Sequence, residues 1–165
     1  MSFAPDSIRI EPLGPSHDRG DFDSGHAALD RYLAQQAGQD GRRGMARVFV
    51  ATAIGQPRRI LGFYSLSAVA VMPAHLPPDQ ARRLPRHPIP AALIGRLAVD
   101  RTVAGRGLGG ILIADALLRT KRAAEHVAMA ALVVDPIDDA VRAFWSAYGL
   151  VPLQGAERRM FLPVE

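Results

Sequence analysis

Hydrophobic positions along the chain follow two spacings, and each spacing predicts one kind of element. Leu29, Tyr32 and Leu33 follow the i, i+3, i+4 spacing of an amphipathic helix, which is predicted over 27–37 with Asp23 or Ser24 as its cap. Apolar runs bounded by turn residues predict strands. Strands are therefore expected at 7–12, 45–52, 60–71, 91–99 and 127–134 and near Val151 and Met160, with further helices at 108–125 and 137–147.

The order of the central elements predicts a parallel pair of strands. The runs 91–99 and 127–134 are almost wholly apolar, as in buried strands, and a helix lies between them. Such a unit implies a right-handed crossover. Between Ile111 and Leu118 only Asp115 is polar, so this helix is expected to be covered on most sides. The proline-rich stretch 73–90 is predicted to be a loop with one short helical turn.

A glycine-rich turn joins the predicted strand 91–99 to the long helix. Its glycines are Gly105, Gly107, Gly109 and Gly110. Without Cβ atoms the backbone approaches a phosphate closely, and the start of the helix adds unpaired N–H groups and the positive end of its dipole. The turn therefore predicts a site for a phosphorylated cofactor.

Three other interpretations of the glycine turn have to be compared with the sequence. The glycines satisfy G-x-G-x-x-G, and Asp135 ends the next strand as a ribose-binding carboxylate would. However, residues 100–104 separate strand from turn, and only 30 residues follow Asp135, too few for the second half of a dinucleotide fold. A Walker loop is excluded because no Lys-Ser or Lys-Thr follows the glycines. The last alternative is a turn that only lets the helix pack closely on the strand.

The segment 104–109, A-G-R-G-L-G, resembles the pyrophosphate loop R/Q-x-x-G-x-G/A of the GNAT acetyltransferases, which binds acetyl-coenzyme A. Its first position is Ala104, and Arg101 or Arg106 is expected to compensate for the missing polar side chain. Further motifs resemble the acetyltransferase toxins of toxin–antitoxin pairs: FDSG at 22–25, RRG at 42–44, GFYSLS at 62–67, and LPR at 84–86 leading into GRLAVD at 95–100.

The resemblance implies a single GNAT domain over 1–165. This is an α/β fold of the α+β type, with a mixed, mostly antiparallel sheet, a splayed parallel pair and flanking helices. Acetyl-CoA is the implied co-substrate, and no metal is implied. The implied cofactor residues, of which the first three offer backbone N–H groups to pantetheine and the developing oxyanion, are Leu97, Ala98, Val99, Arg101, Gly105, Arg106, Gly107, Leu108, Gly109 and Gly110.

In the toxin subfamily the acceptor is the amino group of an aminoacyl-tRNA, and the partner is a ribbon-helix-helix antitoxin. A homodimer is also expected. The α-amino group has a pKa of about 8, so a strong base is not required. The departing thiolate does need an acid, and the resemblance implies Tyr148, in the segment FWSAYGL at 144–150. The alternative is a core aromatic that packs beside Phe144 and Trp145.

Charge supports a polyanionic partner. The 165 residues contain 20 Lys plus Arg against 16 Asp plus Glu, a net charge of +4, although a preference for arginine also arises from genomic base composition. Basic residues predicted to contact tRNA phosphates are Arg42, Arg43, Arg47, Arg82, Arg83 and Arg86. For each of them the alternative is a solvated charged face. Arg96 lies within a buried strand and needs a partner or an anionic ligand, with a substrate-side, dimer-interface or structural role.

Several kinds of site are excluded by composition. The absence of cysteine excludes disulfides, thiolate metal sites and an acyl-cysteine intermediate. The histidines at 17, 26, 75, 87 and 126 have no metal-ligand spacing. The start of the chain lacks a leader pattern, and the longest apolar run, 127–134, is far shorter than the about 20 residues of a membrane span. A cytoplasmic location without a membrane partner is expected.

Three functions therefore compete. The first is a toxin that uses acetyl-CoA to acetylate charged tRNA and so inhibits translation. The second is an acetyltransferase for a small amine, a polyamine or a protein N-terminus, for which an acidic substrate pocket is expected. The third is a non-catalytic acyl-CoA-binding or antitoxin-sequestered module, an alternative that Ala104 leaves open.

Overall fold

The computed structural model of the chain describes residues 2–72, 78–81, 88–136, 139–153 and 158–164. The strands are β1 (Ile8–Pro12), β2 (Arg47–Ala53), β3 (Gly62–Val71), β4 (Ile89–Val99), β5 (Ala131–Val134), β6 (Val151–Pro152) and β7 (Met160–Pro163). The helices are α1 (Ala27–Gln35), α2 (Ala37–Arg42), α3 (Pro78–Ala81), α4 (Leu108–Ala123) and α5 (Asp139–Ser146), with 3-10 turns at Pro5–Ser7 and Arg101–Val103.

The strands form a seven-stranded mixed sheet in the order β1-β2-β3-β4-β5-β7-β6. Strand β4 pairs with β5 in parallel, and the pairs β1–β2, β2–β3, β5–β7 and β6–β7 are antiparallel. This confirms the predicted fold class and the parallel pair. The described residues cluster into two compact units, 1–67 with 95–116, and 68–94 with 117–165. The single domain over 1–165 stays a prediction.

The first unit is built on the apolar face of α1. Leu29, Tyr32 and Leu33 are buried, as their spacing predicted. The ring of Phe63 in β3 contacts Phe22 edge-on at 5.5 Å and stacks on Tyr32 at 6.3 Å between centroids. Aromatic pairs at these separations stabilise a core beyond the area they bury.

Two details of α1 differ from the sequence prediction. The helix ends at Gln35 and not at 37, because Gln36 leaves helical geometry before α2 begins. The cap is His26, which makes no side-chain capping bond, and neither Asp23 nor Ser24 has this role. The Ser24 hydroxyl donates to Asp30 Oδ1 at 2.7 Å, so it is engaged within the helix's first turn.

The second unit contains the parallel pair, whose register runs from Ala91 opposite Ala131 to Ile94 opposite Val134. The prediction of a strand over 127–134 is wrong in its first half. The N–H of Val127 donates to the carbonyl of Ala123 at 2.8 Å, and Val127 is 63% exposed. Residues 127–130 therefore belong to the connection between α4 and β5.

Other predicted bounds differ by a few residues. Strand β4 begins at Ile89 and not at 91, and α4 ends at Ala123 and not at 125. The predicted helical turn in the proline-rich stretch is α3. Helix α4 is not covered throughout, because Leu118 is 46% exposed. Among the described helices, none combines the length and apolar character needed to cross a bilayer.

Close packing of α4 on the sheet depends on Gly62, the first residue of β3. A Cβ at this position would lie 3.1 Å from the backbone oxygen of Ala98. It would also lie 3.1 Å from Leu112 Cδ1 and 3.2 Å from Leu108 Cδ2. A side chain at 62 must therefore push the start of α4 away from β3 or displace β4.

We expect Gly62→Ala to lower the free energy of unfolding by about 1–3 kcal/mol, the usual cost of overpacking a core. Urea denaturation measures the change. Gly20→Ala is the control, because a Cβ there meets only Asp18 Oδ1, at an ordinary contact distance of 3.8 Å. Equal stability of the two variants would contradict the packing described here.

Candidate functional site

The glycine turn has the backbone geometry of an anion site. Gly105 and Gly107 have φ values of 76° and 82°, in the left-handed region that favours glycine. The N–H of Ile111 donates to the carbonyl of Gly107 at 3.3 Å, which starts the hydrogen bonding of α4. Helix geometry therefore leaves the preceding N–H groups, those of residues 108–110, available to a ligand. These are the donors that the sequence predicted.

The N-terminal segment packs against this turn, a contact that the sequence analysis missed. The N–H of Phe3 donates to the carbonyl of Arg106 at 2.9 Å, and the Arg106 guanidinium lies over the Phe3 ring, 3.8 Å from its centroid. Stacking on the Phe3 ring fixes the plane of the Arg106 guanidinium. No periodicity in the sequence connects position 3 to position 106.

Arg101, the other predicted substitute for Ala104, already has an acidic partner. Its guanidinium forms an ion pair with Asp23 at 2.7 Å, and both side chains are exposed. The hydrogen bond from Arg101 is the main reason why the pKa of Asp23 is lowered. Because water screens exposed pairs, the interaction orients Arg101 more than it stabilises the fold.

Asp100 connects two of the motifs on which the resemblance rests. Its side chain is buried, with Oδ2 accepting from the N–H of Asp23 at 3.0 Å. Oδ1 accepts from the N–H and the hydroxyl of Thr102, at 3.0 and 2.7 Å. Burial alone would raise the pKa of Asp100, but hydrogen bonds from Thr102 and Asp23 and the charge of Arg59 outweigh burial and lower it. The ionised carboxylate fixes the chain just before the glycine turn.

Strand β4 continues beyond its pairing with β5. The parallel register ends at Ile94, whereas the strand runs to Val99. The predicted donors Leu97, Ala98 and Val99 lie in this continuation, where the β5 register supplies no partner. This matches the splayed parallel pair that the resemblance implied. The carboxyl end of β4 is held by Asp100, whose N–H donates to the carbonyl of Leu61 at 2.8 Å.

Tyr148 follows α5 in the second unit. Its N–H donates to the carbonyl of Trp145 at 3.0 Å, and Gly149, with φ 93°, ends the helical turn in the left-handed region. The ring lies 5.3 Å from Phe144, but the residue is 42% exposed, whereas Trp145 is buried. The core role proposed as the alternative therefore belongs to Trp145. Within the described residues the Tyr148 hydroxyl makes no hydrogen bond.

Arg96 has a partner of a kind that the sequence did not predict. Its guanidinium lies over the ring of Tyr32, 3.8 Å from the centroid. The Tyr32 hydroxyl donates to Asp40 Oδ2 at 2.8 Å. Burial first, and then the Asp40 carboxylate, raise the pKa of Tyr32 to about 12, so this phenol is protonated at neutral pH. Arg96, Tyr32 and Asp40 thus link β4, α1 and α2.

Of the predicted tRNA-binding arginines, Arg42 and Arg47 line one cleft between the end of β1, α2 and the start of β2. Arg19, which the sequence analysis did not single out, lines it too. Arg43 is exposed and is not part of the lining. The remaining predicted residues, Arg82, Arg83 and Arg86, lie outside the described residues.

The side-chain contacts of the described residues support neither a dinucleotide site nor a metal site. Asp135, the carboxylate of the dinucleotide alternative, accepts two hydrogen bonds from Arg159, at 2.8 and 3.0 Å. Across the described part of the chain, no three His, Asp or Glu side chains are grouped as metal ligands. His17 is buried, with Nδ1 accepting from the N–H of Gly14 and Nε2 directed at Glu11.

Comparison with known proteins identifies the family. A Mycobacterium tuberculosis protein named tRNA-acetylating toxin is 38% identical over 133 residues, which are 81% of this chain and 78% of that protein. The chain belongs to the tRNA-acetylating toxins. A probable toxin TacT of Sinorhizobium fredii is 33% identical over 164 residues, 94% of this chain and 90% of the relative. No family model matches the chain.

Solved structures of the toxin AtaT resemble this toxin closely. AtaT complexed with acetyl-methionyl-tRNAfMet has a TM-score of 0.88 at 29% identity, covering 94% of each chain. AtaTR bound with acetyl-CoA has a TM-score of 0.83 at 29% identity, covering 96% and 95%. A tyrosine-to-phenylalanine mutant of AtaT bound to the C-terminus of the antitoxin AtaR has a TM-score of 0.83 at 28% identity, covering 96% and 94%.

The hydrogen bonds of Asp100 generate a prediction about stability and pH. In Asp100→Asn one of the backbone N–H groups, of Asp23 or Thr102, faces an amide donor, which costs about 1–3 kcal/mol at neutral pH. The native pKa of Asp100 is lowered, so the carboxylate makes its full contribution to the free energy of unfolding above the unfolded-state pKa of about 3.9. This contribution is lost as the pH falls through the native pKa.

Urea denaturation between pH 7 and pH 3 should therefore show a stability difference between wild type and Asp100→Asn that shrinks on acidification. Asp6→Asn, at an exposed position, is the control and should keep a small, constant difference. A variant as stable as the wild type at pH 7 would show that the carboxylate is not needed.

Proposed function

We propose that this toxin transfers the acetyl group of acetyl-CoA to the α-amino group of an aminoacyl-tRNA and so blocks translation. The observation that carries the proposal is the glycine turn, in which left-handed Gly105 and Gly107 precede the free N–H groups at the start of α4. Family membership supports the substrate, because a relative bears the name tRNA-acetylating toxin and AtaT has been solved with acetyl-CoA and with acetylated tRNA.

In this function the chain's own groups have three tasks. The turn at 105–110 binds the pyrophosphate of acetyl-CoA, with Arg106 and Arg101 at its border. The N–H groups of Leu97, Ala98 and Val99 bind pantetheine and the oxyanion that forms when the amine attacks the thioester carbonyl. The C–N bond forms as the carbonyl becomes an oxyanion, and the C–S bond breaks as the carbonyl forms again. The amine loses a proton to solvent, the thiolate accepts one from Tyr148, and Tyr148 regains a proton from solvent.

Tyr148 suits the role of acid because the residue is 42% exposed and its hydroxyl has no partner among the described residues. The contact with Phe144 fixes one side of the ring, while Gly149 ends the helical turn immediately after it. A thiol has a pKa of about 8–9 and a phenol one of about 10, so a phenol gives its proton to the leaving thiolate at only a small cost in free energy.

The net charge of +4 suits the polyanionic substrate, with Arg42, Arg43, Arg47 and Arg96 on the acceptor side, and Arg82, Arg83 and Arg86 proposed from sequence alone. A ribbon-helix-helix antitoxin is the proposed partner, consistent with the AtaT complex that contains the C-terminus of AtaR. The homodimer, the single domain and the cytoplasmic location belong to the same proposal.

The decisive experiment incubates the protein with labelled acetyl-CoA and a total pool of charged tRNA. Label should enter the aminoacyl-tRNA fraction and be absent from deacylated tRNA, because the acceptor is the amine. A polyamine and a protein N-terminal peptide are tested in parallel. Transfer to either of these without transfer to charged tRNA would reject the proposed substrate.

A substitution at Gly109 tests cofactor binding at the glycine turn without straining the fold. A substitution at Gly107 does not, because its φ of 82° makes any side chain strained. Gly109→Ala lies in the first turn of α4, where alanine stabilises a helix by about 0.5–1 kcal/mol. We expect acetyl-CoA affinity, measured by calorimetry, to fall about tenfold or more while the thermal midpoint is kept or raised. Unchanged affinity would remove the turn from the cofactor site.

Tyr148→Phe removes only the proposed acid. We expect kcat for transfer to charged tRNA to fall by about 10² to 10⁴, the range for a positioned acid, with little change in acetyl-CoA affinity. Because the ring is retained, the thermal midpoint should not move. Phe144→Leu is the comparison, since it removes the ring contact and keeps the hydroxyl. A wild-type rate in Tyr148→Phe would return Tyr148 to a packing role.

A further inference from the structure

Among the described residues, three arginines and no acidic residue line the cleft between β1, α2 and β2. Its walls are otherwise formed by glycine, proline and apolar side chains. The three guanidinium groups belong to Arg19, Arg42 and Arg47. Positive charges placed together without carboxylates repel one another unless an anion joins them.

Two of these guanidinium groups lie beside the same glycine and are therefore close to each other. The position that a Cβ of Gly38 would occupy lies 2.8 Å from Arg19 Nη1 and 3.3 Å from Arg42 Nη1. Glycine at 38 is what gives both side chains this space. Within the described residues neither Arg19 nor Arg42 has an ion pair or a side-chain hydrogen bond.

Arg47 differs from this pair. Its Nη1 donates to the carbonyl of Gly41 at 2.6 Å, which satisfies an acceptor at the end of α2. Part of its hydrogen-bonding capacity is therefore structural. The site available to an anion is the pair formed by Arg19 and Arg42.

We infer that Arg19 and Arg42 together bind one backbone phosphate of the tRNA. This rests on the proposed function and adds to it a residue, Arg19, that no motif identified. One guanidinium alone satisfies both oxygens of a carboxylate, whereas two neighbouring guanidinium groups suit the tetrahedral oxygens of a phosphate.

The position of the cleft fits a long substrate. Strands β1 and β2 are separated from β4 by β3, which places the cleft roughly 10–14 Å from the strand that carries the thioester donors. When the aminoacyl end of a tRNA is bound at β4, the backbone phosphates of that tRNA extend over such distances. A small amine bound at β4 does not reach the cleft.

The test measures the Kd of charged tRNA at several salt concentrations for Arg19→Ala, Arg42→Ala and the double variant. We expect each single variant to bind about tenfold more weakly, the loss of one charge-assisted hydrogen bond. In the double variant the slope of log K against log salt should become shallower by about 0.7–0.9, the value for one phosphate. The double variant should bind more weakly than either single variant, but by less than the product of the two single losses, because both arginines hold the same phosphate.

Two further variants separate geometry from charge. Gly38→Ala keeps every charge and suits a helix, yet its methyl group displaces the two guanidinium ends, so tRNA affinity should fall while thermal stability does not. Arg9→Ala removes an exposed arginine that lies on β1 outside the cleft, and its affinity and slope should equal those of the wild type. Acetyl-CoA binding should be unchanged in all variants.

A minihelix of the charged acceptor stem with single methylphosphonate substitutions locates the phosphate. One substitution should weaken wild-type binding and have no effect on the double variant. A multiplicative loss in the double variant would indicate two separate contacts and overturn the inference. A second outcome would also overturn the inference. If the single variants bound tRNA as the wild type does but bound an aspartate- and glutamate-rich peptide more weakly, the cleft would be assigned to an antitoxin. If the wild type acetylates no charged tRNA, the proposed function fails instead.

Discussion

The carboxylate of Asp100 is the constraint on which the candidate site depends. It receives hydrogen bonds from the loop at 22–25 and from the 3-10 turn that leads to the glycines. Its own N–H is bound by Leu61, next to the close packing at Gly62. A buried, ionised carboxylate is costly unless several donors satisfy it. The donors that satisfy Asp100 come from the loop at 22–25 and the 3-10 turn. These segments must be fixed if the glycine turn is to begin at one defined place.

Cations around the first unit are held in three different ways. Arg101 pairs with a carboxylate, Arg96 and Arg106 stack on aromatic rings, and Arg19 and Arg42 lie beside the same glycine. Stacking fixes the plane of a guanidinium without neutralising its charge, whereas an ion pair does neutralise it. The surroundings of these arginines therefore differ from one to the next, and sequence clusters of arginine do not show which partner each one has.

Some predictions succeeded because the relevant physics is local. The spacing of Leu29, Tyr32 and Leu33 fixes which face of α1 is buried. Two continuous apolar runs joined by a helix gave the parallel pair. The strand predicted over 127–134 was too long, because an apolar stretch has the same sequence pattern in a strand as in the segment that follows a helix. Only the hydrogen bond from Val127 to Ala123 decides the matter.

The sequence by itself determined the family, the glycine turn and the excess of positive charge, because motif spacing and composition are properties of the chain in order. Tertiary structure decided which residues share a site. Phe3 meets Arg106, Asp23 meets Asp100, and Arg19 meets Arg42 across separations that no periodicity encodes. Tyr148 is exposed while Trp145 beside it is buried, since burial depends on what packs against each face of the helix end. Contacts between distant segments are set by packing of the whole chain, and a linear pattern does not contain them.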